Sequence, residues 1–131
     1  ARYDTTLAPV SETSLSFDKH KGRCTLYMMI ADQSPWRPEQ AHWVNFLGRE
    51  TPFLHGPEKH SRQNNYPLFF ADINRTGRGY YNVSVSLLAE NPHELEPGEI
   101  TRLYAGKLEA VIRANPEKWL WSHKRWKHKR S

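Results

Sequence analysis

Residues 99–114, EITRLYAGKLEAVIRA, carry the strongest structural signal in this chain of 131 residues. Their apolar side chains recur every three or four positions, which is the spacing of one face of an α-helix. The members of this face are Ile100, Leu103, Tyr104, Leu108, Val111 and Ile112. We therefore predict a helix from Glu99 to Ala114 that buries this face against another layer of the protein.

That second layer is predicted to be a sheet, because several segments before residue 99 are typical of β-strands. Arg23–Ala31 is almost continuously apolar, as a strand covered on both faces would be. Tyr66–Asp72 and Tyr80–Leu88 flank a glycine-containing turn and are predicted to form a hairpin. Further predicted elements are a strand over Thr5–Val10, an edge hairpin over His42–Leu47 and Thr51–Leu54, and helices over Ser11–Lys19 and Gly56–Asn64. The predicted fold class is α/β, a mixed sheet with helices packed on it.

The segment after the long helix is predicted to form a second helix that reaches about Trp126. Asn115 can cap it, and Pro116 suits the first helical position. In such a helix, one side would pack on the core through Trp119, Leu120, His123 and Trp126. Arg125, with Lys124 and Lys127, would then face outward.

Length and composition favour one domain over residues 1–131 and exclude several classes of protein. A single cysteine, Cys24, cannot form an internal disulfide or supply a cysteine-rich zinc site. The longest apolar stretch, Thr25 to Ala31, is too short to span a bilayer. We expect a globular domain with its own hydrophobic core, and we predict no metal site.

The positive charge is concentrated at the end of the chain. Residues 118–131, the terminal segment, contain six Lys or Arg residues and no acid, and they account for the formal net charge of +5. A solvated tail is one interpretation of such a run. Its three tryptophans, Trp119, Trp121 and Trp126, favour another, because indole rings beside cations are typical of contacts with lipid headgroups or anionic ligands.

The end of the chain also resembles a known family. Asn115–Lys127, NPEKWLWSHKRWK, is similar to the closing signature of the bacterial lipid A late acyltransferases, the lauroyl and myristoyl transferases. In that family, Pro-Glu-Gln-Trp/Tyr is followed by an aromatic or Leu pair and then by His-Arg-Arg-Phe/Trp-Lys. Other blocks resemble the family in the same order along the chain, namely Ile30–Pro35, Phe46–Gly48, Thr51–Phe53, Gly56–Pro57 and Tyr66–Phe70.

The resemblance implies a partial glycerolipid-acyltransferase-like domain at the cytoplasmic face of a Gram-negative inner membrane. The family transfers a fatty acyl chain from acyl carrier protein to a hydroxyl of a lipid A precursor, and no cofactor is expected besides this acyl donor. A histidine takes the proton of the attacking hydroxyl, and an acid five or six residues later orients the imidazole. The implied partners are acyl carrier protein, a lipid A precursor and an anionic membrane surface, with no nucleic acid.

The family's histidine–acid pair is not found where the pattern requires it. It should precede the Asp32-Gln33 block, whereas the one pair here with that spacing, His93 and Glu99, follows it. We interpret the chain as the C-terminal half of an acyltransferase catalytic domain whose general base lies upstream, and we expect it to be inactive alone.

Asp32 is the first candidate site residue, in a supporting catalytic role, because the resemblance places an important acid there. The alternative is a loop aspartate that caps a turn through Ser34. Candidate substrate-binding residues are Gln33, Arg49, Lys59, Arg62 and Arg125, and candidate membrane or carrier-protein contacts are Trp121, Lys124 and Lys127.

Two other functions fit the terminal segment. A small nucleic-acid-binding domain would explain its basic tryptophan-rich character. A non-catalytic module that docks on membranes would also use it. Against the first, the excess positive charge is confined to 14 residues and no nucleic-acid-binding motif is present.

Overall fold

The computed structural model describes residues 5–130. It contains three helices, α1 (Thr13–Lys19), α2 (Gly56–Asn64) and α3 (Glu99–Ala114), among the described residues. The described strands are β1 (His42–Phe46), β2 (Arg49–Phe53), β3 (Leu68–Gly77) and β4 (Tyr80–Ala89). Short 3-10 turns occur at Val10–Glu12, Pro38–Gln40, Pro92–Glu94 and Pro116–Lys118. These elements confirm the predicted α/β class. Ser131, the last residue of the terminal segment, lies outside the described residues.

The described strands pair in two antiparallel hairpins. The first joins β1 to β2 through Leu47 and Gly48, which have φ of 51° and 76°. Positive φ at both central residues is the requirement of a two-residue type I′ turn, and glycine satisfies it without strain at the second position. The second hairpin joins β3 to β4, with Phe69 opposite Leu87 and Ile73 opposite Val83.

The core lies between α3 and both hairpins. Phe46 and Phe53 face each other from β1 and β2, with ring centroids 5.2 Å apart at nearly right angles. Edge-to-face packing of this kind is worth about 1 kcal/mol beyond the burial of the rings. Phe70 of β3 joins them from the second hairpin.

Helix α3 supplies the other side of this core. Its buried members are Ala105, Leu108 and Ile112, with Tyr104 and Val111 at the margin. The predicted apolar face of the helix is thereby confirmed, although Leu103 remains exposed.

Glu58 of α2 fixes the beginning of α3. Its buried carboxylate accepts hydrogen bonds from the backbone N–H of Gly98 and of Thr101, the latter at 2.9 Å, and from the Thr101 hydroxyl. A carboxylate is favourable there because the first N–H groups of a helix lack partners within the helix. The contact holds two helices together across 40 residues of sequence.

Glu109 links α3 to the turn of the first hairpin. Its Oε2 accepts a hydrogen bond from the Leu47 N–H at 2.8 Å, and its Oε1 accepts two from Arg113 at 2.8 and 2.7 Å. The pKa of Glu109 is lowered, most by the hydrogen bond from Leu47 and next by those from Arg113. The carboxylate is therefore the form that the folded protein prefers.

The prediction of a buried strand over Arg23–Ala31 is wrong. This segment forms no strand within residues 5–130, and alternate side chains, Leu26, Met28 and Ile30, are 76–85% exposed. The apolar run alone could not reveal this, because strand formation needs a neighbouring strand. The Thr5–Val10 strand is also absent, and Val10 instead begins a 3-10 turn.

The prediction of a helix through Trp126 is wrong as well. A single 3-10 turn, Pro116–Lys118, is followed at Trp119 by extended backbone (φ −80°, ψ 140°). Along this irregular path, the ring centroids of Trp119 and Trp126 each lie 6.5 Å from that of Phe46. Both indoles therefore reach the core without helical spacing. The expected core role of these two tryptophans is confirmed, whereas Leu120 is exposed.

None of the helices within residues 5–130 combines the length and the apolar character that crossing a bilayer requires.

We expect Glu58→Ala to lower the free energy of unfolding by about 3 kcal/mol, because it leaves buried N–H donors at the start of α3 without a partner. Urea denaturation followed by circular dichroism measures this. Glu90→Ala removes an exposed carboxylate and serves as the control, with a change below about 0.5 kcal/mol. Equal stability of the two variants would contradict the assignment of Glu58 as the cap.

We expect the stabilisation by Glu109 to depend on pH. Because folding lowers its pKa, the contribution is complete above the unfolded-state pKa of about 4.3 and is lost as the pH falls through the folded-state pKa. Glu109→Gln should therefore be less stable than the wild type at pH 7, and the difference should shrink at about pH 3. Urea titrations at both pH values test this, and a difference that is independent of pH would refute it.

Candidate functional site

Two distant blocks of the sequence meet in the structure. The first is the loop Asp32–Pro35, called the Asp32 loop below, and the second is His123–His128, called the strap. The Ser34 N–H donates to His123 Nε2 at 3.1 Å, and His128 Nε2 lies 3.1 Å from the Pro35 carbonyl oxygen. These are the blocks that carry the strongest sequence resemblance, and the fold places them side by side.

Strand β2 anchors the strap from the other side. Arg125 Nη2 donates to the Pro52 carbonyl at 2.8 Å, and the Trp126 indole N–H donates to Thr51 Oγ1 at 2.8 Å. The Thr51 hydroxyl in turn donates to the Arg49 carbonyl at 2.9 Å. The described part of the terminal segment, residues 118–130, is thus bound to the domain and is not a free tail.

Arg125 is buried, which corrects the expectation that it faces outward. It is 1% exposed, and its guanidinium carbon lies 4.4 Å from the centre of the Phe53 ring and 5.9 Å from that of Phe46. Burial lowers the pKa of Arg125 to about 10, while Tyr104 and Asp32 act in the opposite direction. The side chain therefore remains a cation at neutral pH.

Asp32, Tyr104 and Arg125 form a polar cluster at the edge of the core. Burial raises the pKa of Tyr104, the charge of Asp32 raises it further, and Arg125 lowers it. Asp32 Oδ1, together with Nε and Nη1 of Arg125, is buried without a hydrogen-bond partner among the described residues. Such atoms are rare in folded proteins.

Sequence reasoning selected Asp32 and Arg125 separately, and the structure brings them together. It missed Tyr104 as a polar member, because the helical pattern assigned this residue to the core. The ring does pack there, 6.0 Å from Phe53. Only the three-dimensional position of its hydroxyl distinguishes it from an ordinary core aromatic residue.

The other predicted binding residues lie in different surroundings. Gln33 is exposed in the Asp32 loop, and Arg49 is exposed with its guanidinium carbon 5.3 Å from the centre of a Trp126 ring. Lys59 is exposed on α2. Arg62 donates to the carbonyls of Pro92, at 3.1 Å, and Leu95, so its contacts tie α2 to the segment that precedes α3.

The predicted membrane or carrier-protein contacts are at the surface. Trp121 is 55% exposed, and its indole N–H donates to the Pro116 carbonyl at 2.6 Å. Lys124 and Lys127 flank the buried Arg125 and are exposed. The strap therefore presents one buried cation between two exposed ones.

His93 and Glu99, the pair with the family's spacing, bond to different groups. His93 Nε2 donates to the Arg62 carbonyl, whereas Glu99 Oε2 accepts from the Glu96 N–H at 3.0 Å. Another histidine–acid contact was missed, since its members are 16 residues apart: His42 Nε2 lies 4.0 Å from Glu58 Oε2. Because the Glu58 carboxylate already accepts hydrogen bonds at the start of α3, we assign the His42 contact a structural role there.

The family model described as "Bacterial lipid A biosynthesis acyltransferase" matches residues 13–128, which is most of the chain. The chain belongs to this acyltransferase family. The match contains both the Asp32 loop and the strap, so the suspected resemblance is confirmed over the region where the polar cluster forms. Comparisons with curated proteins and with solved structures give no match.

We expect the Trp126–Thr51 hydrogen bond to contribute about 1 kcal/mol to the attachment of the strap. A double-mutant cycle of Trp126→Phe and Thr51→Val measures this coupling from the free energies of unfolding. The control cycle pairs Thr51→Val with Trp121→Phe, since Trp121 is exposed and bonds to Pro116 instead. Equal coupling in both cycles would show that the strap is not held at this point.

Proposed function

We propose that this chain is the C-terminal part of the catalytic domain of a lipid A late acyltransferase. The enzyme would move a fatty acyl chain from acyl carrier protein to a hydroxyl of a lipid A precursor at the cytoplasmic face of a Gram-negative inner membrane. The observation that carries the proposal is the meeting of the Asp32 loop and the strap around the Asp32–Tyr104–Arg125 cluster, in which Arg125 is buried and the other two residues are half-buried. Both segments lie within the family match.

The proposed reaction is acyl transfer from a thioester to an alcohol. The acceptor hydroxyl attacks the thioester carbonyl, the new ester C–O bond forms, and the C–S bond breaks. A histidine upstream of this chain takes the hydroxyl proton and returns it to the leaving thiolate. In this proposal, Asp32 supports this step by orienting the acceptor or the basic group, and Gln33 and Arg49, which are exposed, contact the substrate.

Uncovered apolar surface supports the proposal that a further part of the catalytic domain packs on this one. One face of the second hairpin carries Phe69 and Ile73 opposite Leu87 and Val83, all 48–61% exposed. Leu26, Met28 and Ile30 form another exposed apolar row. Contiguous apolar surface of this kind is unusual on a complete monomeric domain. We propose that the part covering it carries the histidine–acid pair.

The exposed part of the terminal segment suits an anionic partner. Trp121, Lys124 and Lys127 are at the surface, and residues 118–130 contain no acid. Each lysine near an anionic lipid surface contributes about 1 kcal/mol to binding. We propose that these side chains contact the membrane or the acidic acyl carrier protein.

Acyl-transfer assays with labelled acyl carrier protein and a lipid A precursor test the proposal. The chain alone should show no transfer, whereas the polypeptide that includes its upstream coding region should be active. In that polypeptide, Asp32→Asn should lower turnover at least about tenfold, on the scale of a lost orienting group. Glu90→Gln, an exposed change, is the control.

Two results would count against this function. Full activity of the chain alone would remove the need for an upstream base. Wild-type turnover of Asp32→Asn would limit this residue to a role in the loop's conformation.

A further inference from the structure

We propose that Arg125 is a positioning residue that holds the Asp32 loop through charge attraction across the polar cluster. The proposal deepens the proposed function, on which the role of Asp32 rests. It also assigns Arg125 a different task from the substrate contact expected from sequence, namely to act as the internal counter-charge of Asp32.

The first observation is how completely the position of Arg125 is determined. Its Nη2 is bound to the Pro52 carbonyl at 2.8 Å, and its guanidinium lies over Phe53. Its backbone N–H also donates to the His123 carbonyl at 2.8 Å. A side chain held at two points on a fixed backbone cannot turn to solvent to satisfy its charge, so the cation must be stabilised from within.

The second observation is that the other two guanidinium nitrogens lack hydrogen-bond partners. Nε and Nη1 are buried and have no hydrogen-bond partner among the described residues, and the same holds for Asp32 Oδ1. Leaving a buried ionic group without compensation is costly. Tyr104 and then Asp32 favour the charged form of Arg125, and Asp32 is the carboxylic acid of the two.

The third observation is that the loop is connected to the strap next to this charge pair. The Ser34 N–H donates to His123 Nε2, so the backbone two residues after Asp32 is bound two residues before Arg125. The titratable side chains around the pair are Tyr104 from α3 and His123 from the strap. Movement of either charge would therefore be transmitted to the loop that presents Asp32.

Amide hydrogen exchange at Ser34 tests the inference on the chain as it stands. Arg125→Met keeps an apolar side chain over Phe53 but removes the charge, and Asp32→Asn removes the opposite charge with almost no change in shape. Each should raise the exchange rate of the Ser34 amide at least about tenfold. This factor corresponds to a charge interaction that would shift a pKa by one unit. The double variant should exchange no faster than the faster single variant, because both changes remove one interaction.

A merely structural role of Arg125 gives a different pattern. If the side chain only packs on Phe46 and Phe53, Asp32→Asn leaves Ser34 exchange unchanged, and this outcome overturns the proposal. Arg125→Lys, which keeps the charge, should recover part of the protection. Arg130→Met is the matched control, since Arg130 is an exposed arginine two residues beyond the strap, paired with Glu50 at 3.0 Å, and it should leave Ser34 unaffected.

A second measurement leaves Arg125 unchanged, so it can be made even if Arg125→Met fails to fold. The pKa of Arg125, about 10, can be followed by the carbon resonance of its guanidinium group. Asp32→Asn should lower this pKa, because it removes a charge that favours the cation. The control Glu50→Gln should not move it, and an unchanged Arg125 resonance in Asp32→Asn would overturn the proposal. Neither readout uses acyl transfer, so failure here is distinct from failure of the proposed function.

Discussion

The contact between the Arg125 guanidinium and the Phe53 ring, with a carbonyl hydrogen bond from Pro52, determines how the end of this chain folds. A cation over an aromatic face is attracted by the ring quadrupole, and the attraction is stronger when water is excluded. At 1% exposure, Arg125 is in that regime. Once the guanidinium is buried, Trp126 and His123 are carried to Thr51 and Ser34, and the terminal segment becomes part of the domain.

This arrangement explains why the domain tolerates a buried charge. Burial of an ion is unfavourable unless hydrogen bonds and an opposite charge compensate for it. Here one carbonyl, two aromatic rings and the charge of Asp32 share that task. An apolar residue at position 125 could fill the same space, so packing alone does not account for an arginine. The charge is better explained by the site that it faces.

The elements that could be predicted from the sequence are those whose causes are local. Helix α3 follows from its own apolar spacing, and the β1–β2 hairpin depends on a turn that Leu47 and Gly48 form by themselves. Arg23–Ala31 has the composition of a strand, but pairing requires a neighbour that the segment does not specify. The terminal segment has the caps of a helix, yet contacts 70 to 90 residues away in sequence override them.

The same distinction holds for the candidate site. Asp32 and the strap could be recognised from motif resemblance, but their contact depends on the path of the chain between them. The chemical difference between arginine and lysine then explains which strap cations are buried. The planar guanidinium of Arg125 can stack on a ring and bond to a carbonyl, whereas the strongly hydrated ammonium groups of Lys124 and Lys127 stay in solvent. Within one short basic run, the arginine is therefore buried against the aromatic core and the lysines supply positive charge at the surface.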